Sequence, residues 1–188
     1  TLLVIDEGTS SLDGALELRA LAAIDALLAR ATRIVVSHRD LSQFAFDRGR
    51  LFATTGYGEV FALDAASGRM FWKRGIGVPL RAAPTVDGGR VFVISYDNQL
   101  SALSDTDGEV IWAHAGIPED AGLVGNASAA VEGDVVIAPY SSGEIFAMRV
   151  ENGRILWSDQ LIRVAGATAL AALSDIRGRP VLERGLVI

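Results

Sequence analysis

Apolar residues follow one rhythm up to about residue 42 and another beyond it. Leu2-Leu-Val-Ile5 is an unbroken apolar run ending in Asp6-Glu7, the pattern of a buried parallel strand that delivers carboxylates at its C-terminal end. Asp13 supplies an N-cap, and Leu16, Ala20, Ile24, Leu27 and Leu28 recur at helical spacing through Arg30. Ile34-Val-Val36 is a second apolar run, followed at once by Ser37-His38. This order predicts a short β-α-β fragment of α/β type over residues 1–42, with polar groups at both strand ends, where open α/β sheets place ligands.

From Phe44 onward the runs shorten, apolar and polar positions alternate, and Gly, Asp and Ser punctuate them, with no helical period. A sentence repeats three times. It ends in Gly68-Arg-Met-Phe-Trp72, Gly108-Glu-Val-Ile-Trp112 and Gly153-Arg-Ile-Leu-Trp157, so every tryptophan stands four residues after a glycine, at intervals of 40 and 45 residues. Each unit predicts a strand (Gly49–Thr55, Gly89–Ser95, Gly133–Ala138), a turn, a second strand (Glu59–Asp64, Asn98–Leu103, Glu144–Met148), an Asx/Ser-Gly turn and a Trp-bearing strand. Ala82–Val86 and Ser128–Val131 supply candidate inner strands. Four short antiparallel strands per repeat make a propeller blade. The fold class is therefore mainly β, a partial β-propeller of about three four-stranded blades plus a stub over residues 43–188, preceded by the β-α-β fragment.

The glycines are expected to allow positive φ in tight turns, with Asn152-Gly153 the strongest hairpin signal, and all three Trp rings are expected to bury where blades meet. His114, in a blade-exit turn, is expected at the surface rather than in a ligand set.

Composition narrows function chiefly by exclusion. The net charge is −6, and the 17 basic residues are scattered, so nucleic-acid binding has little electrostatic support. There is no cysteine, hence no disulfide or thiolate metal site, and no apolar run approaches the ~18 residues of a membrane span. The chain opens on Thr1 and stops in Gly185-Leu-Val-Ile188; both ends are expected to be cut, and no secretory signal is expected.

Two resemblances follow from particular residues. Leu2-Leu-Val-Ile-Asp-Glu-Gly-Thr-Ser-Ser-Leu-Asp13 resembles the Walker B and D-loop segment of ABC-transporter ATPases, and Val35-Val-Ser-His-Arg39 resembles their switch-histidine strand. Gly8 and Ser11 replace the proline and alanine usual there. The resemblance implies that Asp6 supports Mg²⁺, Glu7 polarises the attacking water, His38 senses the γ-phosphate, and Ser10, Ser11 and Asp13 face a partner subunit. A phosphate-cradling GxxxxGK[ST] loop and an LSGGQ-type signature are missing, and the one lysine is Lys73. Mg-ATP is thus expected only under this ATPase reading, and turnover is not expected at all.

The repeats resemble the quinoprotein-like (PQQ-repeat) β-propellers. Within them, Thr55–Asp64, Ala82–Thr85, Asp97–Leu100, Gly116–Glu119, Pro139–Glu144 and Val150–Gly153 resemble the BamB family, lipoproteins of the outer-membrane β-barrel assembly machinery. This implies a non-enzymatic scaffold without a cofactor, periplasmic and outer-membrane associated, whereas the ABC-like part implies the cytoplasm. It also implies a BamA-type barrel protein as partner, contacted at Leu123 and, in the interblade segment Leu173–Val181, at Asp175. Val124 and Arg177 depart from the basic and acidic residues common there. A quinone-dependent dehydrogenase is the third reading; the tryptophans are already accounted for by blade packing. Three blades and a stub do not close the family's eight-bladed ring, so complementary blades or a second copy are expected to cover exposed sheet edges. The chain is read as a join of two fragments near Leu41–Phe44.

Overall fold

The computed structural model describes residues 2–6, 32–36, 44–80, 82–117, 127–160, 180–183 and 186–187. The chain divides into two compact units, Thr1–Leu41 and Ser42–Ile188. In the first, β1 (Leu2–Asp6) and β2 (Thr32–Val36) pair in parallel, with Leu2 opposite Thr32 and Asp6 opposite Val36. Asp6 is therefore the last residue of its strand. The expected helix over 13–30 lies outside the described residues, as do Glu7, Ser10, Ser11, Asp13 and His38.

The second unit consists of three four-stranded antiparallel sheets and a two-stranded one. Blade 1 holds β3 (Phe44–Asp47), β4 (Arg50–Thr54), β5 (Glu59–Asp64) and β6 (Met70–Gly75). Blade 2 holds β7 (Thr85–Asp87), β8 (Arg90–Ile94), β9 (Gln99–Ser104) and β10 (Val110–Ala115). Blade 3 holds β11 (Ala130–Glu132), β12 (Val135–Pro139), β13 (Glu144–Arg149) and β14 (Ile155–Gln160). β15 (Leu182–Glu183) and β16 (Leu186–Val187) begin a fourth. Strands pair in sequence order within each sheet, and β3, β7, β11 and β15 are neighbours, so the first strand of every blade is the inner one. This is the partial propeller that the repeat predicts. No helix occurs among the described residues.

The inner strands start later than the apolar pattern suggests, at Thr85 rather than Ala82 and at Ala130 rather than Ser128. At the first of these, Pro84 has no N–H to give a ladder and precedes the strand.

Alternation assigns the two faces of each blade. Phe52, Val60, Ala62 and Trp72 of blade 1 pack against Leu80, Val91, Val93 and Leu103. The opposite face of blade 2, with Phe92, Ile94, Leu100 and Ala102, packs on Val136, Ala138, Tyr140, Met148 and Val150 of blade 3. Blade 2 is thus covered on both faces, which is why Val91 to Ile94 are all buried although their side chains alternate. Ile137 and Ala147 of blade 3 carry Leu182 and Val187 of the fourth.

Each outermost strand contains the same irregularity. Trp72 lies opposite Ala62 but Met70 opposite Leu63, which leaves Phe71 as an extra residue. Ile111 and Leu156 are the corresponding extras, next to Trp112 opposite Ala102 and Trp157 opposite Ala147. Three β-bulges fall at one place in the repeat, and each turns the following Trp towards the same face.

Candidate functional site

The repeat's chemistry is concentrated between blades. The loop after β9 runs from Asp105 to Gly108 and is closed by the Ser104 N–H donating to the Glu109 carbonyl at 2.8 Å. Gly108, at φ +72°, lies under the Trp72 ring so closely that a Cβ there would stand 2.6 Å from Cε3. The Trp72 indole Nε1 donates to the Asp105 carbonyl at 2.9 Å. Blade 3 repeats this arrangement. Gly153 at φ +71° lies under Trp112, again with 2.6 Å to Cε3, and the indole Nε1 donates to the Val150 carbonyl at 2.9 Å. Each Trp therefore seats on the glycine of the next blade, not on the glycine four residues before it. Phe52 and Phe92 tilt against the same rings, with centroids 6.0 Å apart.

Two sequence expectations change here. Trp157 is 43% exposed, whereas Trp72 is 8% exposed, because no described loop provides a seat for the last ring. The Asn152-Gly153 turn is also not a two-residue hairpin loop. Arg149 N–H donates to the Arg154 carbonyl and Gly153 N–H to the Arg149 carbonyl, both at 2.9 Å, so four residues close the loop and only the glycine takes positive φ. A two-residue type I′ turn needs positive φ at both positions.

A second interblade clasp is centred on Asn98. The first and third blades place Gly58 and Gly143 at this turn position, while Asn98 takes φ +60° and is fully buried. Its Oδ1 accepts from the Ser141 N–H at 3.1 Å and the Ser141 hydroxyl at 2.9 Å, and its Nδ2 donates to the Ile117 carbonyl at 2.8 Å. Asparagine tolerates the left-handed region better than other residues with a Cβ, and its amide satisfies both neighbours.

His114 departs from the expected surface position. It is half-buried in β10, stacked 4° from parallel with Tyr140 and 4.6 Å from the Phe146 ring. Nδ1 stands 2.9 Å from the Tyr140 hydroxyl, which donates to the His114 carbonyl at 3.2 Å. A proton on Nδ1 satisfies both contacts. Burial lowers the His114 pKa, partly opposed by Glu144, and burial pushes the Tyr140 phenol well up. Tyr140 also packs where a Cβ on Gly116 would be 2.5 Å from Cδ2. These groups lock blades together; none sits in a cleft with a nucleophile beside it.

The inner rim holds two clefts. One of about 450 Å³ is lined by Thr85, Val86 and Asp87 of β7, Ala130 and Val131 of β11, and 180–182. The other, about 270 Å³, lies between β3 and Pro84–Val86. Among the described residues, no group of three or more His, Cys, Asp or Glu side chains is placed to hold a metal, and no helix is long and apolar enough to cross a membrane. Leu123 and Asp175, the partner-contact expectations, lie outside the described residues.

A family profile described as "Outer membrane protein assembly factor BamB" matches residues 20–188. The chain belongs to the BamB family. The match begins at residue 20, inside the segment whose motifs resemble ABC ATPases. A BamB from Yersinia pestis is 29% identical over 128 residues, 68% of this chain and 33% of that protein. The crystal structure of BamB from Moraxella catarrhalis shares the fold at a TM-score of 0.68 and 24% identity, covering 73% of this chain and 42% of that one. An Acetobacter aceti quinone alcohol dehydrogenase subunit is 30% identical over 132 residues, 58% of this chain and 18% of its own length. The chain spans about a third of the length of the BamB relatives it matches. Loop residues 105–108 and 150–153 and the Asn98 clasp are therefore BamB-family blade joints in this chain.

Proposed function

We propose that this BamB-family chain acts as a non-enzymatic protein-interaction scaffold of the outer-membrane β-barrel assembly type, periplasmic and associated with the outer membrane. The observation that carries it is the family match over residues 20–188. The described geometry agrees: Trp72, Trp112, Asn98, Tyr140 and His114 are all engaged in joining blades, which gives a rigid support for loops rather than a reaction centre. The partner is a BamA-type barrel protein, and Leu123 and Asp175 are its proposed contacts. Pull-down of the periplasmic part of such a protein by the folded chain tests this directly. Leu123→Ala and Asp175→Ala should weaken capture, and a well-folded sample that captures nothing would sink the proposal.

A second reading belongs to the first unit alone. The parallel pairing of β1 and β2, with Asp6 ending β1, is what an ABC-type β-α-β fragment requires. With no phosphate loop in the sequence it predicts at most Mg-ATP binding that Asp6→Asn abolishes. A flat calorimetric titration removes it.

A further inference from the structure

The second unit carries one unfilled copy of each half of its own blade joint. The unfilled seat is the loop Ala65–Gly68 of blade 1. It is built like the two filled ones: Asp64 N–H donates to the Arg69 carbonyl and Gly68 N–H to the Asp64 carbonyl, both at 2.8 Å, and Gly68 has φ +71°. Nothing lies within 4 Å of where its Cβ would be, whereas a Trp ring fills that space at Gly108 and Gly153. The carbonyl that receives the indole N–H belongs to the residue three before the glycine, Asp105 or Val150, and in blade 1 that residue is Ala65. The unfilled plug is Trp157, which follows the same bulge and faces the same small residue type as Trp72 and Trp112.

The surroundings match as well. Register places Phe44 opposite Ala53 and Phe46 opposite Leu51, on the face of blade 1 turned away from blade 2. Phe46 is 67% exposed and Phe44 47% exposed. The equivalent face of blade 2, with Val91, Val93 and Leu103, is the one that packs on the preceding blade. Charge settles which partner fits. In the joint of blades 1 and 2, Arg74, two residues after the Trp, ion-pairs with Glu109, the residue after the seat glycine. At the unfilled halves these positions hold Asp159 and Arg69, the same pair with its signs exchanged.

We propose that the 188-residue chain self-associates head to tail, with Trp157 of one copy seated over the Gly68 loop of the next and Asp159 facing Arg69. The indole Nε1 donates to the Ala65 carbonyl. Such a contact is heterologous, so it builds a ring or an open row rather than a twofold dimer. The incoming β3 and β4 take the place of β15 and β16, exchanging two paired positions for the four between β3 and β4.

Sedimentation velocity over a concentration series tests the proposal. The chain should form concentration-dependent assemblies larger than a dimer. Trp157→Ala, which removes an aromatic anchor, should raise the self-dissociation constant ~30-fold or more. Gly68→Asn, whose new side chain tolerates the positive φ but fills the seat, should do the same. Neither variant associates alone, but their mixture retains one intact plug and one intact seat and should give a dimer that grows no further. Asp159→Arg and Arg69→Asp should each weaken assembly, and mixing them should restore it. A monomeric wild-type chain, a Trp157→Ala variant that still assembles, or mixtures that stay monomeric would each overturn the proposal.

Discussion

Replacing Gly108 by alanine separates the two demands that the repeat makes on its glycine. The substitution meets a left-handed backbone at φ +72°, which costs an L-residue about 1 kcal/mol. It also drives a methyl group to 2.6 Å from Trp72 Cε3, inside the contact distance, and overpacking of that kind costs ~1–3 kcal/mol. Gly68→Ala is the control. Its φ is +71°, the loop hydrogen bonds are the same, and no atom lies within 4 Å of the new methyl. The backbone cost should therefore be equal at the two sites, and the difference should isolate the ring contact. We expect Gly68→Ala to lose ~1 kcal/mol and Gly108→Ala ~2–4 kcal/mol, the sum of both terms. Both are measured by urea unfolding on the Trp157→Ala background, so that no second copy fills the Gly68 seat. Equal midpoints for the two variants at unchanged slope would refute the close-approach argument and leave the glycine as a turn residue only.

Three further outcomes follow from the same geometry. Trp72→Ala should cost ~3–5 kcal/mol by emptying a buried joint, while Trp157→Ala in the monomer should cost under ~1 kcal/mol; thermal unfolding at low concentration compares them. Asn98→Ala keeps the positive φ and strands the Ser141 and Ile117 groups, for ~2–4 kcal/mol, and Asn98→Gly should be milder because it removes the strain. Burial holds the His114 pKa below that of the unfolded chain, so its neutral form is the one that favours folding. Stability from this site is complete above the ordinary imidazole range and falls as pH drops through it towards the lowered folded value. His114→Gln should flatten that part of the melting profile, and an unchanged profile would show that the imidazole carries no linkage.

The blade count and the strand order were legible because the glycine-to-tryptophan interval and the period-two alternation are local signals. What a ring packs against is not local. Trp72 answers to a glycine 36 residues later, Gly108, and its own Gly68 is unrelated to it. The clue available in the sequence was the alanine that recurs at Ala62, Ala102 and Ala147, the small residue opposite each Trp. Asn98 was hidden for a different reason. It stands where the other repeats have glycine, and a single departure from a repeat carries no period to detect. Trp157 was misplaced because its identity specifies a joint, while burial requires a neighbour that the described residues do not contain. His114 was misread because Tyr140 and Phe146, which enclose it, come from the next blade.

The extra residues Phe71, Ile111 and Leu156 bear on the direction in which such a molecule can grow. Each shifts the pleat of its outermost strand midway, so the outward row of amides and carbonyls changes phase before it has run the length of the strand. A straight incoming strand can match the segment before the bulge or the one after it, but not both. Radial extension of a blade is discouraged three times over, by one inserted residue in each. The packed faces have no such interruption, and so they remain the route by which this architecture adds to itself.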